Sequence, residues 1–502
     1  MRRRREGETR MSLRGAVLLA AAASCALAAH LAGCTNDPYD PSTVLNIPPV
    51  ARIYVSDGPG GELNPTSYYE RTFHWSGSDQ DGFVVEYHVS IEIEAGVAAP
   101  WAVTIGTDTT MTFTTDDLGE AQALVRLACR DNDGAMSDTI SQYIPLRNFP
   151  PVINFAADFD TVTWSFGAAN FRFFALDLDG HVTMDDSIVY YLDTADTNLA
   201  PVQEGLPDAD PNLCPVIKGI DDLETGTFAV ELHDIRDPGQ RTLNVRVGDE
   251  ADATTNFSWT WEVLPALGTV LLVDDLIGDL DVPFYHGTMD SIFGAGQWSR
   301  YDMSLGLPDR NWVLLETFRQ FEAVFWYTGA ATSASLGDVA AELEQYVTEP
   351  LAPGGQPGHL LLIAKGVIGG SSSLPPSFVQ NTLGISRTPT QPTFYIPQDK
   401  TCLATPTGRL PDLHFTNSVT AGVGLQPMPG SEAIYQMEYY LFWSPTRRPP
   451  YEPIVGVRNP DTATATHARS VVISLQFENV EPSEGLASLR AILQDEMGVT
   501  LP

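Results

Sequence analysis

The sequence predicts a multidomain protein in which two all-β sandwiches precede a three-layer α/β domain. Three observations carry that expectation. Residues 48–265 read as short alternating strands separated by Gly/Asp turns, without an amphipathic helix, which is the pattern of antiparallel sandwiches. Within them Asn46-Ile-Pro-Pro-Val50 recurs as Asn148-Phe-Pro-Pro-Val152, a spacing of about 100 residues that suits one sandwich per copy. From Gly268 the style changes: the apolar run Val270-Leu-Leu-Val273 opens an alternation of core strands and helical stripes, as in a parallel sheet covered on both faces.

Taken in order, the first sandwich spans 48–147 and the second 148–265. In each, an Asp-x-Asp-Gly turn leads into a strand: Asp79-Gln-Asp81-Gly82 before Phe83-Val-Val-Glu-Tyr-His-Val89, and Asp177-Leu-Asp179-Gly180 before Ile188-Val-Tyr-Tyr-Leu192. The first ends on Val125-Arg-Leu-Ala-Cys-Arg130 and the turn Asp131-Asn-Asp133-Gly134; the second on Leu243-Asn-Val-Arg-Val247 and Gly248-Asp-Glu-Ala-Asp252. These features resemble the immunoglobulin-like sandwiches of fibronectin type III and PKD-like domains in bacterial surface proteins. The aspartates have two readings. Aspartate caps its own backbone two residues on while glycine takes the positive φ, which is ordinary turn chemistry. Clustered carboxylates are also hard oxygen ligands, so Asp79, Asp81, Asp131, Asp133, Asp177 and Asp179 are the candidates for calcium. A third ligand pair and a distal Glu, as in a full calcium loop, are not found.

In the α/β domain, 268–502, the strand Val270–Val273 ends on Asp274-Asp275, and Tyr285, Met289, Ile292 and Phe293 share one helical face. Phe321-Glu-Ala-Val-Phe-Trp-Tyr327 is a second core strand capped by Thr328-Gly329. A helix then opens on Ser335-Leu-Gly-Asp338 with Leu336, Val339, Ala340, Leu343, Tyr346 and Val347 as its apolar stripe. His359-Leu-Leu-Leu-Ile-Ala364 and Val471-Val-Ile-Ser-Leu475 are further strands. A closing helix turns Leu486, Leu489, Ile492 and Leu493 inward and stops at Gly498. A proline-rich, strand-like insertion occupies about 387–457.

That order resembles the class I glutamine amidotransferase-like fold, a flavodoxin-like relative, on three segments: Val270-Leu-Leu-Val-Asp-Asp275, Phe325-Trp-Tyr-Thr-Gly329 and Leu475-Gln-Phe-Glu478. The resemblance implies a fold and places an active site that this chain does not fill. Where the enzymes carry a cysteine on a glycine-flanked elbow, the chain reads Ala364-Lys365-Gly366-Val367-Ile368-Gly369-Gly370; where they continue Gln-Phe into His-Pro-Glu, it reads Gln476-Phe477-Glu478-Asn479-Val480. Without nucleophile and base the known chemistry is absent, and a non-catalytic member is expected. Open α/β sheets bind ligands at the carboxyl ends of their strands, so Asp274, Asp275, Thr328 and Lys365 are the rim candidates. Lys365, one of three lysines in the chain with Lys218 and Lys400, could hold an anion there or be a solvated strand-end residue. His286, His359, His414 and His467 have no ligand spacing.

The N-terminus sets the compartment. Arg2–Arg5, Arg10 and Arg14 form a basic region before an Ala/Leu run from Ala16 to Ala32, short for a bilayer span and right for a signal-peptide core; Met11 is an alternative start. The run ends in Leu31-Ala32-Gly33-Cys34, which resembles a bacterial lipobox, so 1–33 is expected to be a lipoprotein signal, Cys34 the lipidated residue and 34–47 a tether. Thr35 rather than Asp after Cys34 leaves the outer membrane open as the destination. The chain holds 28 basic and 64 acidic side chains, a net charge of −36, a field that repels nucleic acid. Cys129, Cys214 and Cys402 are too scattered for a zinc site or disulfide framework. The expectation is therefore a cell-envelope lipoprotein, membrane-attached through lipid. It would act as a binding or scaffold protein for an envelope protein or glycan, with the sandwiches as a stalk and no cofactor beyond calcium at the turns. The alternative is an envelope hydrolase or ligand-binding enzyme using the strand-end rim.

Overall fold

A computed structural model describes residues 45–55, 70–93, 99–113, 115–116, 120–159, 161–177, 184–249, 251–276, 282–328, 334–364, 374–386, 394–405, 409–438 and 452–502. Cys34, Asp179, Lys365 and parts of the 387–457 insertion lie outside the described residues. The chain forms two compact units, the second running from Arg147 to Pro502 apart from two short segments of the first sandwich.

The first sandwich is built from β1 (Val50–Val55), β2 (Glu70–Ser78), β3 (Val84–Glu92), β4 (Ala102–Thr104), β5 (Asp108–Thr112), β6 (Glu120–Asp131) and β7 (Ile140–Arg147). One sheet has the order β1-β2-β5, the other β4-β3-β6-β7. Because side chains alternate along a strand, Phe73 and Trp75, Tyr87 and Val89, Val125 and Leu127, and Ile144 and Leu146 are the buried sets. Tyr87 reaches from one sheet to the other, where its hydroxyl accepts from the Gly77 amide at 3.1 Å. Gly77 is required by that approach: a Cβ there would lie 2.8 Å from Val84 and 3.2 Å from the Tyr87 ring.

The second sandwich comprises β8 (Val152–Phe155), β9 (Trp164–Ser165), β10 (Ala169–Leu176), β11 (Met184–Leu192), β12 (Val202–Gln203), β13 (Val216–Gly219), β14 (Thr227–Leu232), β15 (Gly239–Asp249) and β16 (Thr254–Val263). Its sheets run β14-β10-β8 and β12-β13-β11-β15-β16-β9. Phe171, Phe173, Val230, Ile188, Tyr190, Val245 and Trp261 from the two sheets close into one core.

The repeated Asn-x-Pro-Pro-Val motif has a structural meaning. Asn46 Nδ2 donates to Asp131 Oδ2 at 2.9 Å, and Asn148 Nδ2 donates to Asp249 Oδ2 at 2.6 Å. In each case the other carboxylate oxygen accepts two backbone amides of its own turn, Asp133 and Ala135 in the first sandwich and Ala251 and Ala253 in the second. Each entering segment is thus clamped to the turn after a long central strand.

The α/β part holds β17 (Val270–Asp275), β18 (Ser299–Asp302), β19 (Ala323–Thr328), β20 (His359–Ile363), β21 (Phe394–Ile396), β22 (Thr401–Ala404), β23 (Leu413–His414), β24 (Val419–Gly422), β25 (Glu432–Met437), β26 (Ile454–Asn459) and β27 (Ser470–Ile473). Nine of them form one sheet, β18-β17-β19-β20-β27-β26-β25-β22-β23. The first five are parallel neighbours; the insertion extends the sheet by antiparallel pairing from β27 onward. Among the described residues it is therefore a continuation of the sheet, with the pair β21–β24 standing apart. Helices Val282–Phe293 and Pro482–Ala491 cover one face and Trp312–Phe318 and Ala340–Thr348 the other. Alternate residues of each strand enter the two cores: Leu272, Phe325 and Ile363 on the first face, Leu271, Trp326 and Leu362 on the second. Beside the first core, Arg458 and Glu496 form an ion pair at 2.8 Å with both side chains almost wholly buried.

At 265–268 the architecture changes but the packing does not break. Phe166 of the second sandwich is buried within the second α/β core, edge-on to Phe321 at 5.9 Å. Trp164 meets Tyr301 at 5.0 Å and His233 stacks on Trp312 at 4.4 Å. The connecting segment is itself held, Leu267 N donating to Ser299 Oγ at 2.8 Å. The second sandwich is thus part of the α/β body and not a separate stalk segment.

Asn148→Ala should destabilise the second sandwich by about 1–3 kcal/mol, the cost of removing one partner from a buried group, in denaturant unfolding of the full chain. Burial already pushes the Asp249 carboxyl above its usual range, against the Asn148 and backbone bonds that lower it. Removing Asn148 raises it further, so the deficit should narrow as pH falls and the carboxyl takes up its proton.

Candidate functional site

The strand order around β17 reverses between β18 and β19, and at such a switch point the carboxyl ends diverge into a ligand crevice. The ladder sets Asp274 opposite Tyr327 and Asp275 opposite Thr328, with Asp302 on the other side of Asp274. Three of the four rim candidates, Asp274, Asp275 and Thr328, come together here, all buried; Lys365 lies outside the described residues.

Alternation sends the two aspartates to opposite faces. Asp275 shares the Trp326 face and accepts from Trp326 Nε1 at 3.0 Å, both groups buried. Asp274 shares the Tyr327 face. Its Oδ2 accepts from Arg300 Nη2 at 2.6 Å and lies 3.8 Å from His286 Nε2. Arg300 also donates to Asp302 at 2.9 Å, so one guanidinium serves two acids. Burial on its own would raise the Asp274 pKa, but His286, Tyr327 and Arg300 outweigh it and hold the carboxyl below the usual aspartate range. Burial, then the Asp274 charge, push the Tyr327 hydroxyl far above the ordinary tyrosine range. Tyr285 stacks on Tyr327 at 4.3 Å and donates to Glu478 Oε2 at 2.8 Å. The late Gln-Phe-Glu segment is thereby tied to the same cluster.

Chemically, the rim is an ionised carboxylate locked to an arginine, a second acid bonded to an indole, and two tyrosines that stay protonated. A carboxylate stabilised in its charged form is a weak base. The sequence identifies the acids but not Arg300 as the counter-ion of Asp274, nor the place of His286, Tyr285 and Tyr327 beside it. The available signal was the Arg-x-Asp spacing of Arg300 and Asp302, in a strand of four residues.

Two of the turn aspartates, Asp131 and Asp81, accept backbone amides, Asp133 accepts from the Asn132 side chain, and both carboxylate oxygens of Asp79 are buried without a hydrogen-bond partner. Asp131 Oδ1 accepts from Asp133 N and Ala135 N, each at 2.9 Å, and Asp81 accepts from Ile47 N at 3.0 Å. Burial, followed by Asp81, raises the Asp79 carboxyl. Among the described residues, no group of three or more His, Cys, Asp or Glu side chains is arranged to hold a metal ion, Asp177 and Asp133 included. Cys129, Cys214 and Cys402 are free and buried. Burial raises the thiols of Cys129 and Cys402, which leaves them unreactive. Among the described residues no helix is long and apolar enough to cross a membrane.

No family model matches the chain, and no curated protein matches it. Among solved structures, it is similar to the PKD1 domain of Vibrio anguillarum Epp, at 19% identity and TM-score 0.15, covering 21% of this chain and 100% of that one. A two-domain fibronectin type III segment of chicken tenascin matches at 12% identity and TM-score 0.19, covering 42% and 98%. A tetra-tandem repeat from the extending region of a large adhesion protein matches at 14% identity and TM-score 0.21, covering 44% and 51%. At scores this low the likenesses bear on no functional point; the tandem β-sandwiches stand on their own strand order and cores.

Arg300→Ala should cost about 2 kcal/mol, less than the 3–5 kcal/mol of a fully buried pair because Arg300 is a third exposed and water screens it. Asp274 has a depressed folded-state pKa, so its stabilising contribution is present above the unfolded value of about 4 and is lost as pH falls through the folded one. The gap between variant and wild-type melting temperatures should therefore be widest near neutrality and close in acid.

Proposed function

We propose that the chain is an exported lipoprotein, anchored through Cys34, that acts in the cell envelope as a binding or scaffold protein. In this reading its α/β body is a non-catalytic relative of the class I glutamine amidotransferases. The observation that carries it is the condition of the strand-end rim. Where an enzyme of this architecture keeps its acids available to substrate, Asp274 is paired with Arg300 and Asp275 with Trp326, both inside the protein. The strand order β18-β17-β19-β20-β27 is the 2-1-3-4-5 order of flavodoxin-like sheets, which supports the fold relationship. The elbow segment Lys365-Gly-Val-Ile-Gly-Gly370 contains no cysteine and Glu478 stands where the base would be, which supports the loss of chemistry. The partner is an envelope protein or glycan, and the outer membrane is the favoured site of attachment. Nucleic acid is disfavoured by the charge of −36.

One observation favours the rival hydrolase reading: His286 Nε2 stands 3.8 Å from the Asp274 carboxylate, the relation by which an acid orients an imidazole base. Complementation of a deletion strain separates the two. Under the scaffold reading His286→Gln and Lys365→Ala restore the envelope phenotype as fully as wild type, with stability changed by no more than about 0.5 kcal/mol for the lysine. Loss of complementation at unchanged melting temperature would establish the hydrolase instead.

The anchor has its own test. Cys34→Ser should abolish partition into the detergent phase and leave an uncleaved or soluble product. Unchanged partition, with no acyl mass lost, would contradict lipidation at Cys34.

A further inference from the structure

At the amino ends of the parallel strands, opposite the strand-end rim, the α/β body holds a cavity of about 620 Å³. That is the size of a small-molecule site. Leu351, Pro357, Pro460 and Met497 give it apolar walls, and Glu322, His359 and Arg469 line it with polar groups. These three stand at the start of β19, β20 and β27 or immediately before it, in successive strands of the sheet. All three are half-buried, and none of their polar atoms is sealed off without a partner. What the protein leaves unbonded there is open to a ligand.

Arg469 is the informative residue. Its Nη1 donates to Pro357 O at 3.1 Å and its Nη2 to Gln356 Oε1 at 2.9 Å. Both acceptors are neutral, so the guanidinium is oriented without being neutralised, and it has further N–H groups to give. The chain carries 64 acidic side chains against 28 basic ones, yet among the described residues none pairs with Arg469, and burial alone acts on its pKa, lowering it. A partly buried charge is ordinarily paired. Glu322 presents the opposite charge in the same state. Its Oε2 accepts from the Thr500 amide at 2.9 Å, and no basic side chain among the described residues pairs with it. Between them His359 Nδ1 donates to Ala468 O at 2.7 Å, which leaves Nε2 as an acceptor on a neutral ring. Burial holds that ring below the ordinary histidine range, helped by Arg469 and His467 and opposed by the Ala468 bond and Glu322.

We propose that this cavity binds a free α-amino acid with an apolar side chain: its carboxylate meets Arg469, its ammonium meets Glu322 and His359 Nε2, and its side chain meets the apolar wall. A simple anion would use Arg469 and be repelled by Glu322, and a simple cation would meet the reverse; a zwitterion satisfies both charges. The spacing agrees. Neighbouring strands lie about 4.8 Å apart, so the backbones of Glu322 and Arg469, two strands apart, are separated by roughly 10 Å. An ammonium and a carboxylate on one carbon, with a hydrogen bond at each side, span about 9 Å. The site goes beyond the scaffold reading and depends neither on the lipid anchor nor on the strand-end rim.

The test is saturation-transfer NMR on the full chain with leucine, methionine, valine and phenylalanine, each at ~10 mM, since a ligand of this size binds in the millimolar range. Transfer to the side-chain protons of at least one amino acid is expected. N-acetylleucine, which lacks the ammonium, and leucinamide, which lacks the carboxylate, should each bind about tenfold or more weakly than leucine, the loss of one charge-assisted hydrogen bond. Arg469→Gln and Glu322→Gln should each weaken binding by a similar factor. Thr466→Trp, at an exposed residue of the cavity wall, should block entry with both charges in place, which keeps the test open if a charge variant fails to fold. Arg490→Gln, which removes an exposed arginine outside the cavity, should leave transfer unchanged. Absence of transfer from all four amino acids, equal binding of either blocked analogue, or transfer that survives Thr466→Trp would overturn the proposal. Each of these results leaves the scaffold reading standing, because complementation tests that reading separately.

Discussion

The demand for cover on both faces of a parallel sheet organises most of this molecule. Apart from polar residues at their ends, β17, β19, β20 and β27 are apolar on both alternating sets, so neither face can meet water. Two helices serve one face. On the other, the helices leave an edge near β17 and β18 that is completed from outside the α/β segment, by Phe166 at the start of the second sandwich. Burying a phenylalanine side chain contributes about 1.5–3 kcal/mol, and the Trp164–Tyr301 and His233–Trp312 contacts lie around it. The second sandwich and the sheet are therefore joined by core packing as well as by the chain.

The same burial decides the character of the strand-end acids. An aspartate at the end of a parallel strand is a ligand group if it meets solvent and a structural liability if it does not, because an unpaired buried charge is costly. In this chain both acids are buried, and each has a partner drawn from a neighbouring strand: Arg300 from β18 and Trp326 from β19. Pairing makes the charge tolerable and at the same time removes it from chemistry. Asn170 shows the converse case: its amide is oriented by one bond to Asp309, and its Oδ1 is buried without a partner.

Much of the fold was legible because long periodic segments carry their own register. The stripe Leu336, Val339, Ala340, Leu343, Tyr346 and Val347 is buried as its spacing requires, although the helix is interrupted between Asp338 and Ala340. The Asn46 and Asn148 repeat marked the two sandwiches, yet its purpose could not be read. The partners Asp131 and Asp249 stand about 85 and 100 residues away, and only the folded sandwich brings them near. β18 was missed because four residues offer no period to recognise, and with it went Arg300 and the neutralisation of Asp274. The insertion was seen as strand-rich but not as part of the main sheet, since pairing with β27 is a property of position rather than of local pattern. The stalk picture failed for a related reason. Nothing in Phe166 itself announces that it belongs to a core assembled from residues 271–472.

The account stands on the second sandwich and the α/β sheet being one body. Native-state hydrogen exchange of the full chain tests this most directly, by comparing amides of β10 and β19 across a denaturant series. A single body predicts that Phe171 to Phe173 and Val324 to Trp326 exchange through the same global opening, with equal free energies and equal denaturant slopes. Two separate openings, with the β10 amides released at a lower slope while the β19 amides stay protected, would contradict it.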